Sequence, residues 1–499
     1  MNIYSYSPFG YEGAIVSVEA VAKDGIPAID IVGLADGQVK ESRERVKAAI
    51  KNSGFAFSSE HRVLLSLSPA DLKKDGACFD LAMAMAVLSA QDSNSAARVT
   101  DSWLCYAELE LSGNLRPVRG TYAALESGLS KGIKKAIVPS CIPNAEIPQG
   151  MTAYRVDTLK DAWDVMTLCV PPFKGDLPES RKTDEIEFCE ASQDETIDNV
   201  KNPALVRAMM IAAAGRHHLL AVGSPGCGKT VALLRFPQLL PALTAGELQS
   251  VKRIHSIAGL MSGGEMKFPP FRMPHQSTSL EGMCGGGVSC RPGEVSLAHN
   301  GVLFLDEAAE FRSSVLQMLR VPLESQKIAL CRAGRTALYP AFFQLLMAAT
   351  PCPCGNYGGD ERVCLCSSTS VENYWRKFSA PLIDRIPIRV HVKPGSDCGE
   401  QPTLASMREK IAAATIAQRK RGVYNQRLSI EQTASFCVLT DGAKEDFDAM
   451  GARNVSEREK SNALKVARTI ADLNGSEKIE KEHFAEAAAL ATWRLPLMT

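Results

Sequence analysis

The 499-residue sequence carries no net charge: Lys plus Arg number 56, and Asp plus Glu also number 56. No global basic field is available to gather nucleic acid, so any such binding must use a local patch. The sequence also lacks an apolar run near the ~18 residues that a membrane-crossing helix needs, so no membrane partner is expected. Its first residues, MNIYSYSPFG, show no basic stretch leading into an apolar one, and no secretory signal is read there. There is no short-period repeat. Nor is there a secreted disulfide framework: of fifteen cysteines, four are clustered and the rest are scattered singly. That usage fits a reducing, cytoplasmic setting.

What is present is ordinarily globular. Hydrophobic residues make up 45% and charged residues 22%, which excludes a wholly disordered or fibrous chain. The length suggests about three domains. Residues 1–172 mix strand-like runs (Ala14 to Val18, Arg62 to Leu67) with an amphipathic helical stretch, Gly37 to Asn52. Residues 173–199 are rich in acid and poor in apolar periodicity, and are expected to be a linker, with an exposed helix as the alternative. A second α/β pattern fills 200–396. From 397 to 499 the spacing is helical, as in REKIAAATIAQRKR and NALKVARTIADL.

The strongest motif is Gly223-Ser224-Pro225-Gly226-Cys227-Gly228-Lys229-Thr230, which fits G-x-x-x-x-G-K-[ST] at every fixed position. A strand-like run, His218 to Val222, precedes it, and Thr230 to Leu239 reads as helix. Glycines let the backbone curl so that successive N–H groups face a phosphate, and the helix start adds its positive dipole end. Lys229 is placed to reach the outer phosphates, and Thr230 to ligate Mg²⁺. The partner motif is the apolar strand Val302 to Leu305, which delivers Asp306 and Glu307 at its carboxyl end. Asp306 is expected in the Mg²⁺ shell, and Glu307 to polarise the attacking water. The expected cofactors are ATP and Mg²⁺.

Three further features follow. A third apolar strand, Phe343 to Ala349, ends at Thr350, where a polar side chain helps place the lytic water. Arg385, in PLIDRI, has two readings: a finger reaching a neighbouring subunit's site, or an ion pair with Asp384 or Glu372. Cys352, Cys354, Cys364 and Cys366 form two C-x-C pairs separated by glycines and turn formers. Four thiolates brought together by a short loop can surround a structural Zn²⁺, although C-x-C is tighter than the usual C-x₂₋₄-C spacing. Reduced cysteines packing a loop, or a redox-labile disulfide, are the alternatives.

Long stretches of the chain resemble the magnesium-chelatase-like AAA+ ATPases of the YifB/ComM family. The resemblance rests on IDIVGLADGQVKESRERVKAAIKNSGF (29–55), PADLKKDGACFDLAMA (69–84), CRPGEVSLAHNGVLFLDE (290–307), PCPCG (351–355), PLIDRI (381–386) and VARTIADL (466–473). It implies an α/β architecture of three parts. These are a Lon-protease-like (S5-fold) N-terminal domain over 1–172, an AAA+ P-loop core with a parallel sheet over 200–396, and a helical lid over 397–499, with a Cys-rich insert at 352–366 in the core. It also implies that Thr350 falls at sensor 1, Arg385 at the arginine finger and Arg458 at sensor 2. The family pattern usually has Asn where Thr350 stands. A hydroxyl offers one donor against an amide's two, which implies slower hydrolysis or shared sensor duty. The family commonly has two histidines where this sequence has His275 and Gln276.

Family resemblance further implies a homo-hexameric ring acting on single-stranded or branched DNA; one member is a branch-migration helicase of natural transformation. Basic candidates for DNA contact are the stretch from Gly263 through Lys267 to Arg272, the turn Lys327 to Arg335, and the run Gln418 to Arg421; solvated surface charge is the plainer reading of each. Two rival functions remain at this stage. A chelatase motor would need a metal-binding partner domain, and no D-x-S-x-S motif is present. A proteolytic or protein-remodelling ATPase would need a nucleophile and base. Cys78 stands near the Lon nucleophile position, but Tyr122 stands where the lysine base is expected, so the N-terminal domain is read as non-proteolytic.

Overall fold

The computed structural model describes residues 2–33, 37–56, 61–70, 72, 74, 76–92, 101–168, 186–190, 196–261, 266–287, 289–332, 335–358, 363–393, 402–451 and 455–492. Among them no helix is long and apolar enough to cross a membrane.

The first unit is built on a seven-stranded mixed sheet. Its strand order is Ile29–Val32, His61–Ser68, Ala14–Asp24, Asn2–Ser7, Ser102–Cys105, Lys135–Pro139 and Thr152–Val156. Alternation sets the register. Val18 pairs with Leu67 and Ala20 with Leu65, so Val16, Val18, Val63, Leu65 and Leu67 are all buried. The helix Asp80–Gln91 runs through this core, buried from Asp80 to Leu88. Its one charged side chain is Asp80, which accepts from Arg45 Nε at 2.6 Å and from the Leu109 amide at 3.3 Å. Burial pushes the Asp80 carboxyl up, and the bonds from Arg45 and Ser42 oppose that rise.

The second unit holds five parallel strands in the order Phe271–Arg272, Val302–Leu305, Gln344–Ala349, Leu219–Gly223 and Ile388–Val392. The middle three are buried along their whole length, which explains their unbroken apolar runs: both sheet faces are covered. One face packs under Pro203–Gly215 and under the C-terminal helices Leu404–Arg421, Glu457–Leu473 and Lys481–Thr492 in a single apolar core. The other lies under Ser313–Met318, Arg320–Ser325 and Ser368–Arg376. The described part of the acidic stretch is packed rather than free. Ile197 is fully buried in the core of this unit, Phe188 bridges to Pro241, and the Ala242 amide donates to Glu187 O at 2.8 Å.

The two units dock where helix Thr121–Ser130 lies on helix Ala245–Ala258. Arg253, buried, is the pin: it donates to Glu126 at 2.6 Å, to Tyr11 O at 2.7 Å, to Ser127 Oγ at 2.9 Å and to Glu12 O. Helix 245–258 is itself well defined, with a Thr244/Glu247 capping box at its start and Gly259 in the left-handed conformation at its end.

Candidate nucleotide site

Strand Leu219–Gly223 lies between Gln344–Ala349 and Ile388–Val392, and the site forms at the carboxyl ends of these strands, where parallel sheets bind ligands. Gly223 is required by close approach. A Cβ there would sit 2.2 Å from the Val392 carbonyl oxygen. Gly226 and Gly228 take φ of +79° and +83°, which gives the loop its curl. Lys229 Nζ lies across that loop, donating to Gly223 O at 2.6 Å and Ser224 O at 2.8 Å. The following helix is shorter than the sequence suggests. It spans Lys229–Leu234, and Phe236–Leu239 is 3₁₀ instead. Pro237, which has no N–H, cannot continue α-helical bonding there.

The two acidic-site motifs meet. Thr230 Oγ1 donates to Asp306 Oδ1 at 3.0 Å, and the Glu307 amide donates to the same oxygen at 3.0 Å. Glu307 holds φ +47° and ψ +48°, a left-handed conformation that costs a non-glycine residue about 1 kcal/mol. It lines a cavity of about 540 Å³ with Pro225, Lys229, Thr230, Asp306 and Thr350. Such a volume is within the usual range for cofactor pockets. Three more lining residues escaped the sequence reading: Glu310, Pro353 and Tyr374.

Tyr374 changes the picture of Thr350. Its hydroxyl is 2.7 Å from Thr350 Oγ1, and Thr350 Oγ1 donates to Cys352 O at 3.1 Å. With the Thr350 proton committed to a carbonyl, Tyr374 is the donor, and Thr350 keeps one lone pair for another group. Burial pushes the Tyr374 phenol up, so it stays protonated at neutral pH. The helical spacing of Val371, Tyr374, Trp375 and Phe378 was the available signal, since it marks one buried face of helix Ser368–Arg376.

Arg385 pairs with neither Asp384 nor Glu372. Its guanidinium holds Glu324, and Arg458 Nη2 donates to the other oxygen of Glu324 at 3.0 Å. The two cations pull the Glu324 carboxyl below its usual range. Arg458 is placed by its helix. Ser456 and Glu459 cap the start, Glu459 is buried 3.6 Å from Arg389, and Asn462 donates to Asp384 O at 2.9 Å. Neither Arg385 nor Arg458 lines the cavity of its own chain.

The cysteines converge. Cys352 Sγ is 3.3 Å from Cys354 Sγ and 3.7 Å from Cys364 Sγ, Cys354 and Cys364 are 3.6 Å apart, and all four sulfurs, including that of Cys366, lie within 4.8 Å of one another.

Of the basic candidates, Lys327 to Arg335 forms a β-hairpin, Lys327–Arg332 against Arg335–Pro340, with tip residues 333–334 outside the described residues. Gly263, Gly264 and Glu265 also lie outside them. Arg272 is engaged by Glu294 through two bonds of 2.7 and 2.8 Å. In the run at 418–421, three of the four side chains have structural work, and Lys420 is exposed. Gln418 is buried against Ala214 O, Arg419 donates to Ala242 O, and Arg421 forks onto Asp472. In the first unit Cys78 is buried, with its thiol on Tyr6 O at 3.5 Å, and Tyr122 is buried at the docking helix under Lys252. His275 bonds Ser277 in an exposed turn.

A curled glycine loop, a lysine across it, and a hydroxyl paired with a strand-end carboxylate define an ATPase motor domain of the AAA+ kind. Comparison with known proteins narrows the class. Residues 197–398 match the family described as magnesium chelatase, subunit ChlI; 18–141 match subunit ChlI of Mg-chelatase; 401–490 match its C-terminal part. The chain is 34% identical to the competence protein ComM of Haemophilus influenzae, over 97% of this chain and 96% of that protein. It is 33% identical to the protein YifB of Escherichia coli, over 98% and 96%. An uncharacterized protein of Mycobacterium tuberculosis is 38% identical over 84% of this chain and 82% of its own length. The chain belongs to the magnesium-chelatase-like YifB/ComM family.

Proposed function

We propose that this chain is an ATP-hydrolysing, ring-forming motor acting on single-stranded or branched DNA, as a cytoplasmic branch-migration helicase in recombination or natural transformation. The observation that carries the ATPase part is the 3.0 Å contact between Thr230 and Asp306 at a cavity walled by the phosphate loop. Hydroxyl and carboxylate oxygens are the hard donors Mg²⁺ prefers, so these two residues fit that ion. When bound there, Mg²⁺ offsets phosphate charge. Backbone N–H groups of the loop from Gly226 through Gly228 cradle the phosphates, and Lys229 swings from its carbonyls to the outer phosphate oxygens. Glu307 orients and polarises the attacking water, and Thr350 offers its lone pair to that water's proton. Glu310 is a second carboxylate in reach of the same cavity.

Arg385 and Arg458 act on the ATP of a neighbouring chain in a homo-hexamer. Their shared position on Glu324, away from their own cavity, supports this reading. DNA as the substrate is supported by the relative whose name links it to competence, and by the basic hairpin following Glu324. The N-terminal unit is a non-proteolytic, Lon-like domain that positions substrate or caps the ring; the buried Cys78 thiol supports that reading against a protease.

An ATPase assay with and without forked DNA, read beside particle images, tests the proposal. Turnover should rise with DNA, the effect should weaken as salt rises, and rings should form. Lys229→Ala should abolish turnover, and Glu307→Gln should retain ATP without hydrolysing it. Retained turnover in both variants would remove the site assignment. Turnover indifferent to DNA at low salt would remove DNA as substrate.

A further inference from the structure

We propose that Cys352, Cys354, Cys364 and Cys366 bind one structural Zn²⁺, and that this ion clips the sensor loop onto the phosphate loop. A tetrahedral Zn²⁺ with Zn–S bonds of about 2.3 Å sets its four sulfurs about 3.8 Å apart. The three closest separations here are 3.3, 3.6 and 3.7 Å, so the thiols already stand near the edges of such a tetrahedron. The donors come from two short segments, Cys352 to Cys354 and Cys364 to Cys366, so the ion closes a loop whose described residues carry no helix or strand. Four sulfur ligands fill the coordination shell, which makes the site structural rather than catalytic.

The position of the loop gives the clip its consequence. Cys352 is fully buried, and its carbonyl accepts from Thr350 Oγ1 and from the Gly355 amide at 3.0 Å. Trp375 Nε1 donates to Pro351 O at 2.9 Å, from the helix that begins two residues after Cys366. Pro353 lines the nucleotide cavity, and a Cβ at Gly355 would lie 2.3 Å from Pro225 of the phosphate loop. The ion therefore joins the segment that touches the phosphate loop to the root of the helix that carries Tyr374. Thr350, held between them, takes its orientation from both. The ion stands independently of the ATPase reading, and the clip rests on that reading.

The test is metal content of the full-length chain purified under reducing conditions. About one Zn²⁺ per chain is expected. The Cys364→Ser/Cys366→Ser double variant should fall to background. Because that variant can lose its fold, the parent chain is also stripped with a chelator and refilled with Co²⁺. Thiolate-to-cobalt charge-transfer bands together with intense tetrahedral d–d bands are the expected signature. Parent protein without metal and without those bands overturns the site, as does an intact mass showing the four thiols oxidised to disulfides. For the clip, chelator-stripped chain should lose turnover about tenfold or more and regain it with Zn²⁺. Unchanged turnover after complete stripping overturns the clip and leaves the ion. Metal content is measured without nucleotide, so a failed ATPase assignment and a failed zinc site give different results.

Discussion

Arg253 is the residue whose loss should most clearly uncouple the two units. It leaves helix Ala245–Ala258 and crosses to the first unit, with its side chain 7% exposed. Arg253→Met keeps the aliphatic length and removes the charge. The change deletes bonds to Glu126, Tyr11 O, Glu12 O and Ser127, and a stacking contact 5.1 Å from the Tyr11 ring. It also strands the Glu126 carboxylate, which is only 18% exposed. Breaking one side of a buried pair costs about 3–5 kcal/mol. The lower end applies, because Gln249 Nε2 still donates to Glu126 at 2.6 Å. For a unit of this size about 3 kcal/mol shifts the midpoint by roughly 6–12 °C. Calorimetry should show the first unit melting earlier and apart from the second. Nucleotide binding should change little, since no residue of the first unit lines the cavity. Replacing Glu126 with Gln in the same chain should recover part of the loss, because the stranded charge is gone. A midpoint within about 1 °C of the parent would refute the reasoning that this pin holds the units together.

Other consequences are equally direct. Tyr374→Phe removes the donor to Thr350, a bond worth about 1 kcal/mol, and should change turnover severalfold while ATP affinity stays within about twofold; an equal fall in affinity would mean the cavity itself had collapsed. Arg385→Ala should lower turnover by about 10³, and mixing it with Lys229→Ala chains should restore part of the activity, because a mixed ring regains interfaces with one intact loop and one intact arginine; no recovery at any mixing ratio would count against action on a neighbour. Burial drives His217 down to about 3 and His218 and His299 down to about 4; Lys465 beside His217, and Arg216 and Arg427 beside His299, push the same way while Glu247 opposes. The unfolded chain takes up these protons near pH 6.5 and the folded chain does not, so stability should be fully present above that pH and fall between about 6.5 and 4. The loss is about 2 kcal/mol per histidine from pH 7 to pH 5, read as denaturation midpoints, and a flat profile over that range would refute it.

The sequence made the sheet and the phosphate loop legible because both are local patterns. A buried parallel strand is apolar throughout, and Val302 to Leu305 followed by Asp306 and Glu307 becomes readable beside the phosphate loop earlier in the chain. The helix at Gly37–Asn52 and the helical C-terminal region were legible for the same reason. What escaped was the pairing of distant residues. Nothing near Arg385 announces Glu324, 61 positions earlier, and nothing near Thr350 announces Tyr374. Gln418 to Arg421 looked like a basic patch because spacing does not reveal that Gln418 and Arg419 turn to backbone carbonyls and Arg421 to Asp472, which leaves Lys420 as its exposed charge. The acidic stretch reads as linker because its apolar residues are few and make no pattern, yet two of them, Phe188 and Ile197, find places on the second unit.

Glu324 gathers these observations into one mechanical relation. It lies on helix Arg320–Ser325, and Gln326, in the left-handed conformation, turns the chain straight into the hairpin strand Lys327–Arg332. Its side chain is 57% exposed while it bridges Arg385 and Arg458. The Arg458 pair, exposed on both sides, is of a kind worth about 1 kcal/mol or less, far below what a triphosphate offers an arginine in a closed interface; the Arg385 side chain is 13% exposed, so its pair is the firmer of the two. In the ring proposed above, a nucleotide on a neighbouring chain would draw both arginines from Glu324, Arg458 at the smaller cost. Release of Glu324 would loosen the root of the hairpin, and the contacts of Asn462 with Asp384 and of Glu459 with Arg389 tie the same region to helix Glu457–Leu473. In that proposed ring, Glu324 is well placed to pass the state of one subunit's nucleotide to the hairpin of the next.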